Sequence, residues 1–144
     1  MAKFLTSLTV TEINDGVFAV SYKPFLYQSD LYGPVIEVPI GFYTDFSSVP
    51  RLGIIYSCLG NVAHQPAVIH DWLYYAALTT RKLADQILLE AMIVIDLPFW
   101  RRWPIYLGVR AGGWNAWNVH RKDGNPKAGK YKDSPNILGK PDGL

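Results

Sequence analysis

Gln65-Pro66-Ala67-Val68-Ile69-His70-Asp71-Trp72-Leu73-Tyr74-Tyr75-Ala76-Ala77-Leu78, continued by Thr79-Thr80-Arg81-Lys82-Leu83-Ala84-Asp85, sets the arrangement of the rest of the chain. Pro66 suits the first turn of a helix, where a missing N–H costs nothing. From there to Leu78 the run is helix-compatible and apolar on nearly every side, which marks a buried helix. His70 and Asp71 are its only titratable groups apart from the phenols. Burying a polar group without a partner costs roughly 1–3 kcal/mol, and more for a charge. Both residues therefore need partners.

Asp85 is the candidate partner of His70. If Leu78-Thr79-Thr80 is a tight connection, the run and the segment after it form an antiparallel helical hairpin. His70 and Asp85 are then nearly equidistant from the turn and lie side by side. The second helix carries a polar stripe at Lys82, Gln86 and Glu90, opposite a face of Ala84, Leu88, Ala91 and Ile95. At about 100° per residue, Asp85 falls on the inward flank of that stripe.

A length of 144 residues is one domain's worth, and 49% apolar and 14% aromatic content give it a core. The expected organisation is a single α+β domain over residues 1–120 and a basic, irregular tail over 121–144. Its sheet is small, antiparallel and N-terminal, and a three-helix body follows. No run of apolar residues is long enough to span a membrane. Met1-Ala2-Lys3-Phe4-Leu5-Thr6 carries no signal-peptide apolar region. The single cysteine, Cys58, fits a reducing compartment and ordinary packing. Residues 121–144 hold six Lys/Arg against three Asp, while residues 1–120 hold eight against nine. The body thus lacks the clustered basic groups that nucleic-acid binding needs.

Phe4–Val10 and Val17–Tyr22 flank Asn14-Asp15-Gly16, a hairpin signal. Pro24 to Pro34 reads as a connection. Val35-Ile36-Glu37-Val38-Pro39-Ile40 reads as a third strand, which Pro39 confines to an edge or a strand end. Gly41-Phe42-Tyr43-Thr44-Asp45-Phe46-Ser47-Ser48-Val49-Pro50-Arg51 has two readings. It presents carbonyls and Asp45 to a cation or an anionic group, or Asp45 and Ser47 make local turn hydrogen bonds. The second long helix should end near Asp96-Leu97-Pro98, and a third should run from Ile105 to Trp117. Between them, Trp100, Arg101, Arg102 and Trp103 suit a membrane–water interface; alternatively the tryptophans plug the base of the core while the arginines face water.

The chemistry of the trio His70, Asp71 and Asp85 is specific. A carboxylate that orients one imidazole nitrogen leaves the other free as a general base. A second carboxylate beside it can hold a hard cation such as calcium, helped by backbone carbonyls from a loop. Together they suit activation of a water against an ester carbonyl whose oxyanion the metal stabilises. His64 and His120 have no spacing that would make a three-histidine zinc site with His70.

Two resemblances extend this reading. Val38-Pro39-x-Gly41-Phe42-x-Thr44-Asp45-Phe46-x-Ser48-Val49-Pro50-Arg51, Ala67-Val68-Ile69-His70-Asp71-Trp72-Leu73-Tyr74, Arg81-x-x-Ala84-Asp85 and Ala91-Met92 resemble the DUF1353 family of tailed phages and prophages. The match covers roughly residues 35–117 and continues through Tyr106, Val109-Arg110 and Gly113. It implies a phage origin, hence a virion or host-cytoplasm setting, and supplies no established activity. Ala67-x-x-His70-Asp71-x-x-Tyr74 with Ala84-Asp85 is similar to the helix pair of phospholipase A2 enzymes, the disulfide-free parvovirus capsid type above all. That resemblance implies His70 as general base, Asp71 as the calcium-binding carboxylate, Asp85 as the residue orienting the histidine, and Tyr74 as its hydrogen-bond partner. The disulfides of the secreted enzymes are absent and the interhelix connection is shorter than in the viral type. Gly41–Pro50 would stand in for their calcium loop, with Tyr32-Gly33-Pro34 a weaker substitute.

The leading expectation is a phage-encoded, calcium-dependent hydrolase of a lipid or other ester. The alternatives are a non-catalytic virion or tail-associated protein with a buried His–Asp network, attached to phage structural proteins by its tail, and a hydrolase of cell-wall or another host component.

Overall fold

The structure, a computed structural model, describes residues 1–14, 17–44 and 63–122. Six short strands come first: β1 (Lys3–Phe4), β2 (Val10–Asn14), β3 (Val17–Val20), β4 (Phe25–Gln28), β5 (Val35–Val38) and β6 (Tyr43–Thr44). Among the described residues three helices follow, α1 (His64–Ala76), α2 (Arg81–Val94) and α3 (Phe99–Lys122). The fold is α+β, as the patterning predicts.

The strands divide between two antiparallel sheets, ordered β1-β4-β5 and β2-β3-β6. The expected strand over Phe4–Val10 is split, because Phe4 pairs with Tyr27 whereas Val10 pairs with Val20 in the other sheet. β2 and β3 form a hairpin, but its first strand is Val10–Asn14 rather than the expected Phe4–Val10, and its register shifts between Glu12 and Asn14. β4 replaces part of the expected connection. Its residues alternate in burial, Phe25 and Tyr27 inward, and β5 alternates likewise with Ile36 and Val38 inward. This period of two is what a sheet with one buried face requires. β5 is an edge strand that stops at Val38, immediately before Pro39, whose missing N–H could not continue the ladder.

α1 has Pro66 in its first turn and ends at Ala77, which adopts a left-handed conformation (φ 57°, ψ 35°) and donates its N–H to the Leu73 carbonyl at 3.2 Å. After Leu78 and Thr79, the Thr80 hydroxyl accepts from the Leu83 N–H at 3.2 Å and caps α2. Such a cap contributes about 1 kcal/mol. α2 buries Ala84, Ile87, Leu88, Ala91 and Met92, a wider face than the expected one, and Ile95 is only partly buried. Asp96 (φ 56°) turns the chain into α3. That helix starts at Phe99 rather than Ile105 and contains Pro104. Pro104 cannot donate to the Trp100 carbonyl, but it sits on the exposed side of the helix, away from the core.

Two apolar clusters hold these layers. In one, Phe25, Tyr27, Ile36 and Val38 of the sheet meet Ile69, Leu73 and Ile87 of the first two helices. In the other, Ala67, Leu88, Met92, Ile105 and Val109 join all three helices. The sheet is also pinned to α2 through Glu90. Its carboxylate accepts from the Tyr27 hydroxyl at 2.9 Å and from the N–H groups of Asp30 and Leu31 at 3.2 and 3.3 Å.

Candidate active site

The hairpin brings His70 and Asp85 into contact, with Nε2 of the imidazole 2.8 Å from Oδ1 of the carboxylate. Asp85 accepts only, so the geometry assigns the proton to Nε2. Among the described residues no hydrogen bond engages Nδ1. Tyr74, one turn after His70 on α1, donates its hydroxyl to the same Oδ1 at 2.6 Å, and its ring stands 4.2 Å from the imidazole. His70 is 3% exposed and Asp85 0%.

The other carboxylate oxygen faces α3. Arg110 donates to Oδ2 at 2.7 Å, and Arg81, four residues before Asp85 on α2, lies 3.4 Å away. The Arg81 guanidinium also donates to the Val109 and Arg110 carbonyls at 3.3 Å each. One buried carboxylate thus ties all three helices together. Burial by itself would push the Asp85 carboxyl up. The hydrogen bond and charge of His70, with the bonds from Tyr74 and Arg110, outweigh it and hold the group below the ordinary carboxylate range. Burial, then the Asp85 charge, pushes the Tyr74 phenol up, so Tyr74 stays a hydrogen-bond donor. The bond to Asp85 raises Arg110 against the opposing effect of burial.

Tyr74 reaches Asp85 because α3 presents Gly113 beneath it. A Cβ at position 113 would stand 2.6 Å from the phenol oxygen. Trp117, one turn further, meets the Tyr74 ring edge-on at 5.2 Å.

Of the expected site residues, the structure therefore gathers His70, Tyr74 and Asp85. Asp71 follows His70 on α1 and is partly exposed. Asp45, the other expected metal ligand, and Cys58 lie outside the described residues. Among the described residues, no three His, Cys, Asp or Glu side chains cluster as a metal ion would require. In the weaker calcium-loop candidate, the Gly33 carbonyl accepts from Gln28 and the Gly33 N–H donates to Ser29, within the β4–β5 turn. Arg81 and Arg110 were not expected at the site. The i, i+4 spacing of Arg81 and Asp85 was the signal for the first, and a lone arginine within Ile105–Gly113 the signal for the second.

The aromatic–basic corner opens α3. Trp100 is exposed rather than plugging the core, with the Arg101 guanidinium 4.6 Å over its ring. Arg102 lies 5.9 Å over Phe99 and donates to the Leu97 carbonyl at 3.2 Å. Trp103 is partly buried between Phe99 and Tyr106.

A family model described as "Protein of unknown function (DUF1353)" matches residues 20–109. The chain belongs to the DUF1353 family. The matched segment runs from β3 into α3 and contains His70, Asp71, Tyr74, Arg81 and Asp85, so in this DUF1353 protein nearly the whole network lies within the family domain. It stops one residue short of Arg110. Comparison with curated proteins and with solved structures returns no match.

Proposed function

We propose that this DUF1353 protein is a phage-encoded ester hydrolase resembling phospholipase A2, with His70 as general base, Asp85 orienting it and Tyr74 holding Asp85. The observation carrying this reading is that Asp85 engages Nε2 of His70 at 2.8 Å, while among the described residues no hydrogen bond engages Nδ1. In the proposed reaction Nδ1 takes a proton from water as the water oxygen bonds to the ester carbonyl carbon. Asp85 stabilises the imidazolium that forms. Collapse of the tetrahedral intermediate breaks the ester C–O bond, and the imidazolium returns the proton to the departing alkoxide.

Calcium belongs to the proposal through Asp71. About six to eight oxygens surround that ion; Asp71 would supply part of them and the segment that includes Asp45 the remainder. When bound, the ion would stabilise the oxyanion. The proton transfers above are carried by His70, which Asp85 orients.

A second reading is favoured by the burial of the pair. A fully enclosed carboxylate shared by an imidazole, a phenol and two guanidiniums also suits a non-catalytic virion or tail-associated protein whose network pins three helices. Fatty-acid release from phospholipid vesicles by the wild type and His70→Gln, with and without a calcium chelator, separates the two. Release lost in a folded His70→Gln supports the hydrolase. Equal release by both proteins would refute it.

A further inference from the structure

α3 has two unlike faces. Ile105, Val109, Arg110, Gly113 and Trp117 turn toward α1 and α2. On the opposite side Trp100, Pro104, Leu107, Ala111 and Trp114 follow one another at i, i+4, i+7, i+11 and i+14, and all five are exposed. Trp100 is 61% exposed and Trp114 55%. The line they make is about 21 Å long at 1.5 Å per residue. No charged residue interrupts it, which is unusual for a surface left to water.

The charge of this helix says what covers the stripe. Phe99–Lys122 contains Arg101, Arg102, Arg110, Arg121 and Lys122 and no Asp or Glu. Arg110 is taken by Asp85. Arg101 and Arg102 have no carboxylate partner among the described residues, and their Nε atoms are buried without a hydrogen bond. They lie instead against the rings of Trp100 and Phe99. Positive charge therefore stands beside the Trp100 end of the stripe. The same helix of a second copy would bring no carboxylate to these arginines, since it contains no Asp or Glu.

We propose that the outer face of α3 docks on an anionic lipid surface, the helix lying in the plane of the interface. Trp100 and Trp114 would sit at headgroup level, where an indole keeps its ring in apolar surroundings and its N–H wet. Leu107 would enter the acyl boundary, and the arginines would face lipid phosphates. No described helix is long and apolar enough to cross a membrane, so the contact is peripheral. The proposal is independent of the hydrolase reading, because the stripe faces away from the His70–Asp85 pair.

The test is flotation of the full-length chain with vesicles, one set of phosphatidylcholine and one of equal parts phosphatidylcholine and phosphatidylglycerol. Wild type and His70→Gln should both float with the anionic vesicles, with a blue-shifted tryptophan emission, and both should be released by high salt. The double variant Trp100→Ser, Trp114→Ser should bind at least about tenfold more weakly while keeping the wild-type circular dichroism spectrum. Arg101→Gln with Arg102→Gln should reduce the preference for anionic lipid. Absence of flotation with the anionic vesicles at low salt would overturn the proposal, as would binding unchanged by the double tryptophan substitution. A concentration-dependent dimer abolished by the same substitution, without lipid binding, would assign the stripe to a second copy instead.

Discussion

The phenol of Tyr74 occupies the space that a side chain at position 113 would need: its oxygen lies 2.6 Å from where a Gly113 Cβ would stand, and 2.6 Å from Asp85 Oδ1. The two positions on different helices are therefore coupled through one hydroxyl. Gly113→Ala should destabilise the wild type by about 1–3 kcal/mol through overpacking and displacement of the phenol. In a Tyr74→Phe background the nearest obstacle becomes the ring carbon at 3.4 Å. There the same substitution should be near neutral, or stabilising by up to about 1 kcal/mol through helix propensity. A double-mutant cycle by urea denaturation measures the difference, and additive effects would contradict the coupling.

Removal of the shared carboxylate should cost more than removal of any one partner. Asp85→Ala leaves Arg110 and Arg81 facing each other without a counter-charge, and should destabilise by about 3 kcal/mol or more. Tyr74→Phe should cost about 1.5–3 kcal/mol, the range for one hydrogen bond to a charged group. Thermal melts of the two variants under one buffer would rank them, and the reverse order would mean that Asp85 is not the hub.

Acid should act on the network through Asp85. Its folded carboxyl titrates below its unfolded one. The stability it contributes is complete above the unfolded value of about 4 and disappears as pH falls through the lower folded value. The gap in unfolding free energy between the wild type and Asp85→Asn should accordingly narrow below about pH 4. Tyr74 acts at the other extreme: its phenol is raised in the folded state, so its contribution is present below about pH 10 and declines as pH rises further. A pH series of denaturation curves would show both arms, and a gap that stays constant in acid would contradict the first.

If the hydrolase reading holds, His70→Gln should lower turnover by about a hundredfold or more, in line with loss of a general base. Asp71→Asn should remove any calcium-induced rise in melting temperature, because a ligand that binds only the folded chain stabilises it by mass action. Differential scanning fluorimetry against a calcium series provides that readout without an activity assay. Calcium stabilisation retained in Asp71→Asn would place the ion elsewhere.

Glu90 offers a test away from the site. It accepts from the Tyr27 hydroxyl and from two N–H groups in the turn after β4. Glu90→Ala should speed amide exchange at Asp30 and Leu31 while leaving the amides around His70 unchanged.

The juxtaposition of His70 and Asp85 was legible because it is a local relation, two positions at similar distances from one tight turn. The α+β order was legible for the same reason, as a change of period along the chain. Arg110 was not: it is 25 residues from Asp85, on a helix whose packing direction no periodicity announces. The start of α3 was hidden by Pro104, which argues against a helix unless its side is known to face water. β4 was missed because Phe25-Leu26-Tyr27-Gln28 lies between turn formers, and four residues give too little alternation to outweigh them.

Arg81 holds the α3 backbone with the same guanidinium that leans on Asp85, and Arg110 returns the grip from the other side. The last helix is thus a clasp rather than an appendage. A fragment cut at residue 109, where the family match ends, would strand a dehydrated anion without its nearest cation and strip the phenol of its glycine seat. A fragment that extends past that boundary, far enough to carry both Arg110 and Gly113, should accordingly be more stable than one cut at residue 109.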